Sequence, residues 1–184
     1  MKYSASADTL SGNENSDEWL LTRPGEHILI RVPVAKTSGK YSFVEIVSDP
    51  GDGTPLHCHR NEDEHFFVVE GTARFAYDGK IFDLEAGTMV TLPKNIPHAW
   101  GNRTNAPLRL VAVVYPGGVE EVMRIIAKVG NVDIAALAES VGVRVMSGSW
   151  VPHPFEVGEV SSITRLPSFQ RRRMTADTIK SASD

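Results

Sequence analysis

From Trp19 to about Tyr115 the apolar residues come in short runs, cut by Gly, Pro, Asn and Asp at intervals of roughly ten residues. Examples are "HILIRVPV", "SFVEIVS", "HFFVVE", "ARFAY", "KIFDL", "TMVTLP" and "LRLVAVVY". Such short, evenly spaced runs predict an antiparallel sandwich or barrel. Asp78-Gly79, between "ARFAY" and "KIFDL", predicts a tight hairpin, because both central residues of that turn need positive φ. Gly71 and Gly87 fall at other strand junctions. After "PGG" at 116–118 the period changes. Val119, Val122, Met123, Ile126 and Val129 recur at helical spacing, and Gly130 can close the segment as a cap. A second helix is expected to start at Asn131 or Asp133, to carry Ile134, Leu137, Ala138 and Val141 on one face, and to end at Gly142. Both helices are expected to pack on the barrel.

This pattern divides the chain into a polar, Ser/Asn/Asp-rich arm at 1–17, a barrel at 18–118, a helical segment at 119–146 and an irregular tail at 147–184. The basic triplet Arg171, Arg172 and Arg173 belongs to that tail and is expected to be a solvated run. At 184 residues the chain has room for one domain with a real core. A formal charge of -4 argues against a protein that coats nucleic acid or anionic lipid, whose binding rests on surplus Lys and Arg. No stretch of 18 apolar residues occurs, and the opening residues carry no apolar core of a signal peptide. Cys58 is the single cysteine, so no internal disulfide can form. The expectation is a cytoplasmic protein with a small-molecule partner, binding neither nucleic acid nor membrane.

The chemistry gathers in "GDGTPLHCHRNEDEHFFVVEG", residues 51–71. Residues two apart on a strand share a face, with Cα atoms about 6.5–7 Å apart. His57 and His59 therefore project together, and two imidazoles so placed can converge on one metal ion. Cys58 points the other way. "RNED" is expected to form a tight turn, and the strand after it, paired with the first as a hairpin, would set Glu64 beside the histidine pair. On that strand Glu64, Phe66 and Val68 share one face, while His65, Phe67 and Val69 share the other. His65 is accordingly expected on the outer face, and Glu62 and Asp63 in the turn, in water. A further candidate is His98, in "GTMVTLPKNIPHAWGN", where Pro93 and Pro97 stiffen the approach and Trp100 falls on the same side as the histidine.

Together the two stretches resemble the cupin family. Its first motif fits as Gly51, His57, His59, Glu64 and Gly71, and its second as Gly87, Pro93, His98 and Asn102. One position departs: Asn95 stands where the pattern has glycine, and Asn is the residue that best tolerates left-handed backbone after Gly. The resemblance covers roughly residues 25–118. It implies an all-β, double-stranded β-helix (a jelly-roll barrel) with one or two C-terminal helices packed on it. It also implies that His57, His59, Glu64 and His98 are metal ligands, and that the protein is a homodimer whose N-terminal strands, around "HILIRVPV", pack on or exchange with the partner.

Three imidazoles and one carboxylate suit Fe, Mn, Ni, Co or Cu, with Zn also possible. Four protein ligands would saturate a tetrahedral Zn, whereas a metal that takes six keeps two positions for a substrate. Those positions invite chelation of an enol, a diol or a polyphenol-like compound. Phe66 and Trp100 are candidate pocket walls by strand parity. The likeness to quercetin dioxygenase-like cupins favours a dioxygenase and suggests Glu64 as a base. An isomerase, epimerase or lyase, and a barrel that binds a small ligand without turnover, stay open beside it.

Overall fold

The computed structural model describes residues 18–130 and 133–146. The expected N-terminal arm, the tail from residue 147 and Asn131 as a helix cap lie outside the described residues. The strands are β1 (Leu20–Arg23), β2 (Glu26–Val32), β3 (Ser42–Ser48), β4 (His57–His59), β5 (Asp63–Glu70), β6 (Thr72–Tyr77), β7 (Lys80–Glu85), β8 (Met89–Leu92), β9 (His98–Gly101), β10 (Leu108–Tyr115) and β11 (Val143–Val145). Two helices, α1 (Glu120–Val129) and α2 (Ile134–Ser140), lie between β10 and β11.

Period-two alternation sorts these strands into two facing antiparallel sheets, one ordered β1-β2-β3-β10-β5-β8 and the other β11-β4-β9-β6-β7. The inward residues of the first, among them Ile28, Val44, Phe66, Val68 and Leu110, meet Ala73, Phe75, Leu84 and Trp100 of the second in one core. Their outward neighbours Phe67 and Val69 are exposed, as the parity predicts. This is the expected jelly-roll barrel. The hairpin at Asp78-Gly79 forms, with φ of 49° and 73°, and pairs Tyr77 with Lys80. The strand "HILIRVPV" stops at Val32, because Pro33 has no N–H to donate, and a short 3-10 turn follows over Val34–Thr37.

Two expectations fail. The histidine strand and the glutamate strand are not hairpin partners: β4 belongs to the five-stranded sheet and β5 to the six-stranded one. The eight-residue β5 pairs instead with the eight-residue β10, whose inward Leu110 and Ala112 stand opposite Val68 and Phe66. The three-residue β4 offers no comparable match. Secondly, the segment 119–146 is not wholly helical. Gly142, at φ +90°, turns the chain out of α2, and the β-branched Val143 and Val145 run antiparallel to β4, opposite His59 and His57.

Both helices have explicit starts. Asp133 accepts a hydrogen bond from the Ala136 amide (3.0 Å) and caps α2, as expected. At the start of α1 the fully buried Glu120 accepts from the amides of Val34 (2.7 Å) and Gly118 (2.9 Å), which ties the helix to the turn after β2. Gly130, at φ 76°, closes α1 as the sequence suggests. Among the described residues, no helix is long and apolar enough to cross a membrane.

Candidate metal centre

All four expected ligands are buried, and they come together. One ligand atom from each of His57, His59, Glu64 and His98 lies within 4.8 Å of the other three. Atoms bound at about 2.0–2.2 Å to a shared ion can be no more than roughly 4.4 Å apart, so the cluster needs to contract by only a few tenths of an ångström to close on a small divalent cation. His57 and His59 come from β4, His98 stands opposite His57 on β9, and Glu64 reaches across from β5 in the other sheet. His98 Nε2 is 3.1 Å from Glu64 Oε2, and His59 Nε2 is 3.6 Å from Glu64 Oε1.

The second nitrogen of each ring fixes its direction. Nδ1 of His57 bonds the Pro55 carbonyl (2.8 Å), Nδ1 of His98 bonds the Ile96 carbonyl (2.8 Å), and Nδ1 of His59 bonds the Glu62 carboxylate (3.1 Å). A carbonyl or carboxylate only accepts, so each Nδ1 carries a proton and each Nε2 faces the cluster; Nε2 of His98 also meets the Glu64 carboxylate at 3.1 Å and shares a proton with it, which a metal ion would displace. With that proton gone, all three rings are in the tautomer a metal ligand requires.

The charges agree with the geometry. Burial would raise the Glu64 pKa, but the neighbouring His59 and His98 outweigh it and hold the carboxyl down at about 2. Burial, with the adjacent His98 and His59, lowers His57 to about 4. Burial also disfavours charge on His59, yet the Glu64 and Glu62 carboxylates prevail and raise it. Two buried carboxylates among three imidazoles need a compensating positive charge, and one divalent cation would balance both. The residues present therefore fit a divalent metal.

Glu62 corrects the sequence reading. It is not one of the four clustered groups, but neither is it in water: it is 7% exposed and aims a ligand. Its position three residues after His59, in a turn, gives no strand parity from which to infer this. The carbonyls of Pro55 and Ile96 each lie two residues before the histidine they orient, and backbone groups leave no mark in a sequence. His65 is on the outer face and bonds Thr91 (3.0 Å), as expected. Asp63 opens β5 and accepts from the Lys94 amide (2.8 Å).

The cluster opens on a cavity of about 210 Å³. Phe66 and Trp100 line it as expected, both buried, with ring centroids 6.4 Å apart. Arg23 from β1 lies over Trp100 at 5.6 Å and is held by Asp52 (2.7 Å) and Glu26 (2.7 Å). Burial, opposed by Arg23, raises the pKa of Glu26. This polar group on the cavity wall went unseen in the sequence, because Asp52 lies 29 residues from Arg23.

Residues 44–114 match the family model described as a cupin domain. The matched stretch lies within the barrel, so this part of the chain is similar to a cupin domain. The structure of KdgF from Halomonas sp. has the same fold, with a TM-score of 0.51 at 18% identity, over 56% of this chain and 90% of that one. Among curated proteins, the chain is 32% identical over 95 residues to mannose-1-phosphate guanylyltransferase of Escherichia coli, and 27% identical over 90 residues to quercetin 2,3-dioxygenase of Bacillus subtilis. These matches cover 50% and 49% of this chain but only 20% and 26% of the two enzymes.

Proposed function

We propose that the protein is a metal-dependent enzyme acting on a small chelating substrate, an enol, a diol or a polyphenol-like compound, and that its reaction is a dioxygenation. The observation that carries the metal reading is the convergence of three imidazole nitrogens and one carboxylate within 4.8 Å, each imidazole held by a hydrogen bond at its far nitrogen. The match to part of quercetin 2,3-dioxygenase supports oxygen chemistry. The match to part of a guanylyltransferase is as extensive, so the test has to separate oxygen-dependent turnover from other chemistry.

When bound, a six-coordinate transition metal supplies Lewis acidity and, with Fe, Mn, Co, Ni or Cu, an electron path to O2. The chain itself does the rest. His57, His59 and His98 fix the coordination geometry, because their rings cannot rotate without breaking the bonds at Nδ1. Glu64 presents a carboxylate oxygen that can accept the hydroxyl proton of an incoming enol. Phe66 and Trp100 pack the body of the substrate against the apolar wall of the cavity.

The first test is metal content of protein made without a His tag and purified without chelator, beside His57→Ala. About one Fe, Mn, Co, Ni or Cu per chain, absent from the variant, supports the site; no metal even after reconstitution rejects it. Oxygen uptake on a panel of enols and catechols then tests the dioxygenase. Turnover that proceeds anaerobically would move the assignment to an isomerase, epimerase or lyase, and binding without turnover would leave a ligand-binding barrel. Unchanged turnover in Glu64→Gln at normal metal content would remove the base role.

A further inference from the structure

The wall of the cavity facing the barrel is built from residues outside the stretch that matches the cupin model. Val119, Val122, Met123 and Ile126, from the start and body of α1, line it together with Ile134 and Ala138 of α2. Val122 and Ala138 are buried, but Met123 and Ile126 are only partly covered and Ile134 is 45% exposed. These last three therefore present aliphatic surface to an open space beside the candidate metal ligands. Covering such surface is favourable in proportion to the area removed from water.

The barrel side of the cavity decides what kind of group would cover it. Arg23, the one Arg or Lys among the described residues lining it, is paired with the carboxylates of Asp52 and Glu26 and stacked on Trp100, so its charge is already matched within the protein. An anionic group placed there would meet two carboxylates along with the guanidinium. At about 210 Å³ the cavity exceeds the roughly 150 Å³ apolar cavity known to accept benzene. It is smaller than the about 300–1,000 Å³ of drug-sized pockets. The space suits one ring with a branched substituent.

We propose that the α1–α2 wall, through Met123, Ile126 and Ile134, selects a substrate whose chelating oxygens carry an uncharged apolar substituent of about single-ring size. This deepens the metal-dependent reading given above and rests on it.

The test is calorimetric titration, without oxygen, of Ni-loaded protein with catechol, 4-tert-butylcatechol and 3,4-dihydroxybenzoate, which differ only in what hangs from the same chelating pair. The expected result is that 4-tert-butylcatechol binds at least tenfold tighter than catechol and that 3,4-dihydroxybenzoate gains nothing. In Met123→Gln/Ile126→Thr the tenfold preference should fall below threefold. Ile134→Thr, at a half-exposed position, should lower it in the same direction. No preference in the wild type, or an undiminished one in both variants, overturns the proposal. If nickel is not retained, the metal reading fails on its own, and the wall is then tested by titrating toluene into metal-free protein while following the methyl resonances of Met123, Ile126 and Ile134. Shifts confined to these methyls and their cavity neighbours uphold the wall, and their absence rejects it.

Discussion

Each histidine of the cluster is aimed by a group that is not itself a candidate ligand, and at His59 that group is a side chain. Glu62 accepts from Nδ1 of His59 and is buried, so its removal frees the ring to turn and strips a negative charge from the site. Loss of such an outer hydrogen bond typically costs about 10–100-fold in metal affinity. Glu62→Ala should lose affinity by that factor in a chelator competition, and an unchanged dissociation constant would show that Glu62 is only a turn residue. Asn95 supports the same strand from the other side. Its amide donates to the His59 carbonyl (2.7 Å) from a left-handed conformation, φ 64°. The sequence anticipates this angle, since glycine is the usual residue at that position of the motif. Asn95→Gly should therefore be nearly neutral in urea unfolding, while Asn95→Val should cost roughly 1–2 kcal/mol for a side chain that clashes with its own backbone there. Equal stability of the two variants would contradict the argument. The clustered side chains and the Trp100 wall were legible because strand parity fixes where His57, His59, Glu64, His98 and Trp100 point. Glu62 was not, because a turn has no parity.

At the level of elements, what the sequence reveals depends on how local the pairing is. The β6–β7 hairpin is announced by two residues, Asp78 and Gly79, and the caps of α1 and α2 by Gly130 and Asp133. The partners of β4 are not announced at all. It pairs with β9, about forty residues on, and with β11, more than eighty on, and short-range pattern says nothing about either. Only the alternation of valines in "VGVRV" hints that the chain re-enters the sheet after α2. The outer face of the six-stranded sheet carries a similar long-range device. Glu45 of β3 is held by Arg31 of β2 (2.7 Å) and by Arg109 of β10, so one carboxylate joins three strands. Burial would raise its pKa, but the two guanidinium groups prevail and hold it below the ordinary glutamate value. A carboxyl whose folded pKa is depressed stabilises the fold fully above its unfolded value and loses that contribution as pH falls through the folded one. Wild type should therefore exceed Glu45→Gln in stability at pH 7, with the gap closing as pH drops below about 4.5. Because both arginines are about two-fifths exposed, salt should shrink the gap as well. A gap constant between pH 7 and pH 3 would rule out this linkage.

Over the whole molecule, the four candidate ligands come from both layers of the barrel. His57, His59 and His98 belong to one sheet and Glu64 to the other, so an ion held by all four would cross-link the two layers of the barrel. The metal-free protein must keep two carboxylates and three imidazoles buried around a shared proton. A cation that neutralises both carboxylates would bind the folded state and find no preformed site in the unfolded one. Its contribution follows from mass action: at a free metal concentration a hundred times the dissociation constant, the fold gains about 2.7 kcal/mol. For a domain of this size that corresponds to a rise of roughly 5–10 °C in unfolding midpoint. The rise should be reversed by EDTA, be absent in His98→Ala, and shrink as pH falls, first as a proton competes for His59, whose pKa is raised, and last for His57, whose pKa is about 4. The same titration in Glu64→Gln separates the roles of the two sheets. If the three histidines suffice, the midpoint still rises; if the cross-link between layers is what stabilises, most of the gain disappears with Glu64 even though three ligands remain.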